Sequence, residues 1–408
     1  MFDAGVRDAS RDTGTGTPDT GTEAGTDDGG TDDGGGSTPS DCVTEESDRF
    51  ELGSDTRGAT RHVAVAAGSD GFVVVYPLNE GGFDDMIARH VPSSGAVGEP
   101  IALTDTFASE RAPALAWTGT GYVAGWHDND GRGFEVVTRA LNADGQPAGA
   151  SRVISTPTTG RLHDGLALAV DDDGLVAVFV EEDVARSTRL LQSIRLADDG
   201  SPMGMATTIT DPPANEPALA GREGGSVVVW ARSGDEGATA VARLLDASAE
   251  AAGAVLPVGT QPNAGGVLGI ARTPAGQLAT VFDANVSGGA RQEIRFREHA
   301  ADGTPRNNET VVSPGTSQGR APGIAAFAGG YAIAYRATVD PELMGPTVRL
   351  LLVSTNGTVN EVTNLDRTSA EGGAVHVAVG FDGTILVTWA EATDTGTTLV
   401  ARRLRCGT

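Results

Sequence analysis

From residue 60 onward, short apolar runs alternate with polar turns in units of about 52 residues. The aromatic that ends one apolar run in each unit marks the period. These residues are Tyr76, Trp126, Phe179, Trp230, Phe282, Tyr335 and Trp389, at intervals of 50, 53, 51, 52, 53 and 54 residues. Each unit opens on small and branched residues, as in Ala114-Leu115-Ala116, Ala218-Leu219-Ala220 and Ile324-Ala325-Ala326. A glycine turn leads to a second apolar run, for example Phe72-Val73-Val74-Val75-Tyr76 or Val227-Val228-Val229-Trp230. After a polar loop comes a third run, such as Val136-Val137-Thr138-Arg139-Ala140-Leu141. Next is a turn built on Asp-Gly, Asn-Gly or Ser-Gly, then a short fourth run such as Arg152-Val153-Ile154-Ser155. Such dipeptides supply the positive φ that tight hairpins need. No unit carries a convincing helical period.

Four short strands in a meander, repeated at this length, predict a propeller blade. The sequence therefore reads as all-β: a seven-bladed β-propeller with an N-terminal tail. The expected blades span 60–106, 107–157, 158–212, 213–262, 263–315, 316–366 and 367–408, the last completed by 46–54. The seventh unit stops after its third run, Leu399 to Leu404, whereas Asp48-Arg49-Phe50-Glu51-Leu52 precedes the first unit. The N-terminal strand is thus expected to complete the last blade. In this alignment Cys42 and Cys406, the two cysteines of the chain, both fall on the hairpin turn where the ring is cut. A disulfide there would replace the missing peptide connection and implies an oxidising compartment.

Charge changes the picture at the N-terminus. Residues 1–40 hold eight Asp and one Glu against two Arg, and almost nothing that a core could bury. They read as a disordered, acidic linker. Domain organisation is therefore a linker, 1–40, and a propeller, 41–408. The whole chain carries −26 and contains no lysine, a balance that repels nucleic acid. No run approaches the roughly 20 apolar residues that span a bilayer, and the first residues show no apolar signal region. Spacers of this kind follow the anchoring cysteine of exported lipoproteins, so a lipid anchor encoded upstream is an expectation. Location outside the cytoplasm (periplasm, cell surface or medium) is another, and a monomer is a third.

The units GYVAGWHD, VTRALNADGQP and SIRLADDGSP resemble those of a group of exported bacterial propeller proteins. Their tandem repeats have the form Gly-aromatic-Val-Val-Trp followed by Arg-x-Leu/Asp-x-x-Gly-x-Pro. The resemblance covers residues 42–408 and implies the fold and no activity. Asp boxes of the sialidase type and the Gly-His and Trp-Asp signatures of WD40 blades do not occur in the sequence.

Candidate chemistry is sparse. None of the six histidines, His62, His90, His127, His163, His299 and His376, has a partner at zinc-binding spacing. Asp128-Asn129-Asp130-Gly131 begins like a calcium loop, but Arg132 and a missing twelfth-position Glu depart from it. No nucleophile motif or phosphate loop is present, and no cofactor is expected. Glu181-Glu182-Asp183 and Asp235-Glu236 read as solvated loop charge. Arg89, Arg139, Arg243 and Arg402 all lie thirteen residues after a blade aromatic. That recurrence suits a fold role, with the guanidinium pairing to turn carboxylates. The positions leading into the innermost strands differ between blades, as an asymmetric site on a symmetric scaffold requires. They hold Arg61, Arg111, Asp164, Asn215 and Arg320, with Gly266 and Gly373 in the other two units. Glu110, Arg161, His163, Glu216 and Glu371 extend the set. The expected binding residues are thus Arg61, Arg111, Asp164, Asn215, Glu216, Arg320 and Glu371, ringing the channel mouth. The expected function is non-enzymatic binding of a protein or glycan there. A carbohydrate-active hydrolase or lyase using Asp164, Glu216 and Glu371, or a purely structural surface module, are the other readings.

Overall fold

The computed structural model describes residues 48–405 except for 56–61, 81, 107, 130–132, 156–160, 184–187, 210–216, 235–236, 260–267, 287–290, 314–317, 339–345, 356, 368–372 and 395. The acidic segment 1–40, Arg61, Asn215, Glu216, Gly266, Glu371, Cys42 and Cys406 lie outside the described residues, as do Asp130, Gly131, Asp235 and Glu236. For Arg161, His163 and Asp164 the backbone is described and the side chain is not.

The described residues form seven four-stranded antiparallel sheets. Six are contiguous meanders, and the seventh joins the two ends of the chain. In that sheet Asp48–Asp55 lies outermost and pairs with Gly396–Arg405, with Asp48 opposite Arg403 and Asp55 opposite Thr397. The propeller and its strand exchange are therefore as the repeat pattern predicts. The exchanged strand continues three residues beyond Leu52. It is held by more than its ladder: Arg49 Nε donates to Asp366 of blade six at 2.7 Å, and Nη2 to Glu391 of blade seven at 2.9 Å. Tyr76 of blade one donates its hydroxyl to the Leu52 carbonyl at 2.6 Å.

Burial lies between blades rather than within them. Seven apolar clusters each span one blade-to-blade interface, and each contains one of the seven aromatics. Trp230 shares its cluster with Val176 and Val178 of the preceding blade, and Trp389 with Val348 and Leu350. All seven rings are at most 1% exposed, so each contributes the several kcal/mol expected of a buried aromatic. The close fit explains Gly259, where a Cβ would lie 2.3 Å from the Phe282 ring. The outer hairpins have the predicted turn chemistry. Gly95, Gly145, Gly200, Gly303 and Gly357 adopt φ between 77° and 88°, a region that costs glycine nothing.

Three of the four recurrent arginines, Arg89, Arg139 and Arg243, serve the fold by donating to main-chain carbonyls. Arg139 Nε donates to Gly149 O of its own turn at 2.9 Å, and Nη1 to Leu103 O of the blade before. Arg89 joins Gly98 O at 2.7 Å to Leu52 O at 2.6 Å. Arg243 similarly spans Ile209 O and Gly253 O. Counting thirteen residues misses Arg297, which joins Asn307 O and Val258 O at 2.9 Å each. Strand register shows the equivalence: Arg89, Arg139, Arg243, Arg297 and Arg402 each stand opposite the residue two before the blade aromatic. A longer hairpin in blade five moves the arginine in sequence without moving it in space.

Candidate functional site

The innermost strand of each blade lines an axial channel of about 680 Å³. Its walls are layered. One layer is Val63, Pro113, Leu166, Pro217, Leu268, Pro322 and Val375, and two residues on lies another of Val65, Leu115, Leu168, Leu219, Ile270, Ile324 and Val377. Between them come Ala64, Ala114, Ala167, Ala218, Gly269, Gly323 and His376. Register confirms that these seven are equivalent, because each stands opposite the residue just before the blade aromatic. Aliphatic side chains thus form two layers of the wall, small residues fill six of the seven middle positions, and His62 and Arg189 also line the channel.

Polar chemistry gathers where the inner strands begin. In blades two, three and six the pairing register slips there, between Arg111 and Ala114, Asp164 and Leu166, and Arg320 and Gly323. Each slip contains a residue of positive φ: Ala112 at 50°, Gly165 at 58° and Ala321 at 50°. Glycine adopts such a φ freely, whereas alanine is strained by about 1–2 kcal/mol. Two of the bulges share one sequence, Arg111-Ala112-Pro113 and Arg320-Ala321-Pro322. Bulges re-aim side chains, and both arginines stand exposed at this position. The Arg111 guanidinium lies 3.8 Å over the centre of the Phe134 ring, within cation–π range. Among the described residues, neither Arg111 nor Arg320 is ion-paired. The structure thus brings two of the seven expected site residues to one rim with side chains described. It also places the Asp164 backbone in the matching bulge.

Below the rim are buried charges that sequence reading missed or misassigned. Glu181 is 5% exposed, which corrects its reading as solvated loop charge; it stands opposite His163 in the strand pair and is drawn into the blade. Asp283 Oδ2 accepts from the strained Ala321 N at 3.5 Å, and Val375 N donates to Ala321 O at 3.2 Å, so blades five and seven both brace the bulge of blade six. The Arg336 guanidinium donates to Gly373 O at 3.0 Å and to Ala390 O. Its burial lowers its pKa to about 10, with Glu391 opposing. Glu110 is fully buried and accepts from Thr106 Oγ1 at 2.7 Å. Burial raises its carboxyl to about 7; the Thr106 bond works against this, and the nearby Asp128 and Asp85 add to the rise.

His376 is the other residue missed. A spacing test looks for pairs of ligands, whereas the signal here is a departure from seven aligned positions. Its cross-strand partner Thr388 departs too, where the other blades hold Val75, Gly125, Val178, Val229, Val281 and Ala334.

No protein-family model and no curated protein sequence matches the chain. Solved propellers do match in structure. Trypanosoma rangeli sialidase in complex with the inhibitor DANA superposes with a TM-score of 0.54 at 12% identity, covering 88% of this chain and 60% of that one. The same sialidase in complex with sialic acid gives 0.54 and 12%, covering 89% and 59%. Penicillium chrysogenum alpha-L-arabinanase complexed with arabinobiose gives 0.46 at 16%, covering 71% and 92%. This chain thus spans about 60% of the sialidase chains it matches. At these identities the likeness extends to the fold alone.

Proposed function

We propose that this protein is a binding module working outside the cytoplasm, which grips an acidic group of a glycan or protein at its channel mouth. The observation that carries this reading is the repeated Arg-Ala-Pro bulge. Two blades hold an alanine at φ 50° to present an arginine that no described carboxylate neutralises. Backbone strain that recurs beside exposed charge is better explained by a ligand than by packing. In a chain of net charge −26, a rim arginine with no ion pair among the described residues is a local point of attraction for an anion. The test uses an array of acidic and neutral glycans, with polygalacturonate and dextran as soluble probes. Acidic members should bind, and Arg111→Ala with Arg320→Ala should weaken polygalacturonate binding about tenfold or more while leaving the melting temperature unchanged. Equal binding by wild type and double variant would overturn the proposal.

One observation favours a hydrolase instead. A carboxyl still protonated near neutral pH, as Glu110 is, has the pKa a general acid needs. Glu110 is fully buried, however, and would have to move to reach a glycosidic oxygen. Hydrolysis of 4-methylumbelliferyl glycosides that Glu110→Gln abolishes would establish this second reading.

The oxidising location rests on a disulfide between Cys42 and Cys406. Supporting it, Asp48 pairs with Arg403, and the cysteines follow six and three residues beyond the same end of that strand pair. The bond would close a loop of more than 360 residues, for which loop-closure entropy gives up to about 5 kcal/mol. Thiol titration of the denatured, unreduced protein should find no free thiol. Cys406→Ser should loosen the terminal blade before the others, as hydrogen exchange would report.

A further inference from the structure

The sevenfold repeat serves as its own control, and the seventh blade departs from it inside the channel. Six blades place Ala or Gly in the middle layer of the wall, and blade seven places His376. Across the strand pair, where six blades hold Val, Ala or Gly, blade seven holds Thr388. The fold does not require either residue, since six interfaces close without them. Both carry a polar atom that packing leaves unsatisfied: His376 Nε2 and Thr388 Oγ1 are buried without a hydrogen-bond partner. Such a group typically costs about 1–3 kcal/mol. A costly polar pair at a position where an apolar pair would serve marks function.

The chemistry around the pair narrows what it would take. The flanking wall residues Val375 and Val377 are apolar; His62 and Arg189 also line the channel, the latter paired with Glu182 at 3.6 Å. Burial lowers the His376 pKa to about 4, and the charge of nearby His62 adds to this. At neutral pH the imidazole is therefore uncharged and offers one donor and one acceptor. That suits neither an anion nor a cation. Among the described residues no three His, Cys, Asp or Glu side chains converge to hold a metal. A tube of about 680 Å³ falls in the range of small-molecule sites.

We propose that the axial channel binds an uncharged, largely apolar small molecule bearing one hydroxyl, which anchors on the His376 imidazole with Thr388 behind it. The hydroxyl both donates and accepts, so it satisfies whichever tautomer the ring adopts. The apolar remainder lies against the aliphatic layers above and below. This site is separate from the arginine rim and stands or falls without it.

The experiment uses the full-length oxidised protein with 2-naphthol and naphthalene as fluorescent probes of one shape, differing by the hydroxyl. Wild type should bind 2-naphthol about tenfold more tightly than naphthalene, and binding should shift the His376 side-chain ¹⁵N resonances. His376→Ala and Thr388→Val install residues already used by other blades, so both should fold with equal or higher melting temperatures. His376→Ala should remove the preference for 2-naphthol, and Arg111→Ala should leave it intact. Several outcomes would overturn the proposal: no preference in wild type, unshifted ¹⁵N resonances at saturation, or a preference that survives His376→Ala. The site would then hold ordered water only.

Discussion

Ala112 and Ala321 hold the same unfavourable φ of 50° at equivalent places in blades two and six. Replacing Ala321 with glycine should leave the melting temperature unchanged or raise it by a few degrees, since glycine accepts positive φ without strain. Ala321→Val should lower stability by about 2 kcal/mol or more, because a branched Cβ crowds the backbone there. A thermal melt of the two variants side by side checks both signs. Glu110 supplies a second test at this scale. Its carboxyl titrates at about 7 in the fold, against 4.5 for an unperturbed carboxyl. Between those values the native state keeps a proton that the unfolded chain has lost. Stability should therefore fall as pH rises through this window, by about 3–4 kcal/mol at most, with the penalty complete above it. Glu110→Gln should flatten the slope, as melts near pH 5 and near pH 8 would show. None of this residue-level detail was legible in the sequence. A backbone bulge is invisible in a string of letters, and the pKa of Glu110 depends on burial by residues from another blade. Arg111 and Arg320 could be singled out because blade alignment alone shows which positions vary around the ring.

Strands and turns were the legible part. Their signals are local: an aromatic after an alternating apolar run, a glycine where the hairpin needs positive φ, small residues where the strand meets the axis. Interface partners were less so, and the arginine clamps show why. The sequence marks the guanidinium, but its acceptors are main-chain carbonyls, which carry no side-chain signature. Arg139 and Arg243 each fork between their own turn and the preceding blade. Truncation to alanine should cost about 1–2 kcal/mol each, and lysine should recover only part of it, because an ammonium lacks the planar fork. Urea melts would measure both. Trp230→Ala, emptying a fully buried space between blades three and four, should cost about 3–5 kcal/mol.

At the scale of the whole molecule, stability belongs to the ring. Each core cluster is shared by two neighbours, so no blade owns a complete core. Arg49 binds Asp366 and Glu391 at the closing interface. Deleting 48–55 should leave the outer edge of Gly396–Arg405 unpaired and expose a strand to association. A concentration-dependent increase in mass on size-exclusion chromatography, with blades two to five keeping their hydrogen-exchange protection, is the expected result.

The pairing of Asp48–Asp55 with Gly396–Arg405 also sets the order of events during synthesis. The outer strand of blade seven leaves the ribosome about 350 residues before its partner. Early blades can assemble as they emerge, but the ring cannot shut until Gly396–Arg405 has been made. The final contact joins segments about 350 residues apart, the slowest kind to form. Until then the first strand must be kept from pairing elsewhere, so the nascent chain has a long interval in which a holdase or a translocation channel governs its fate.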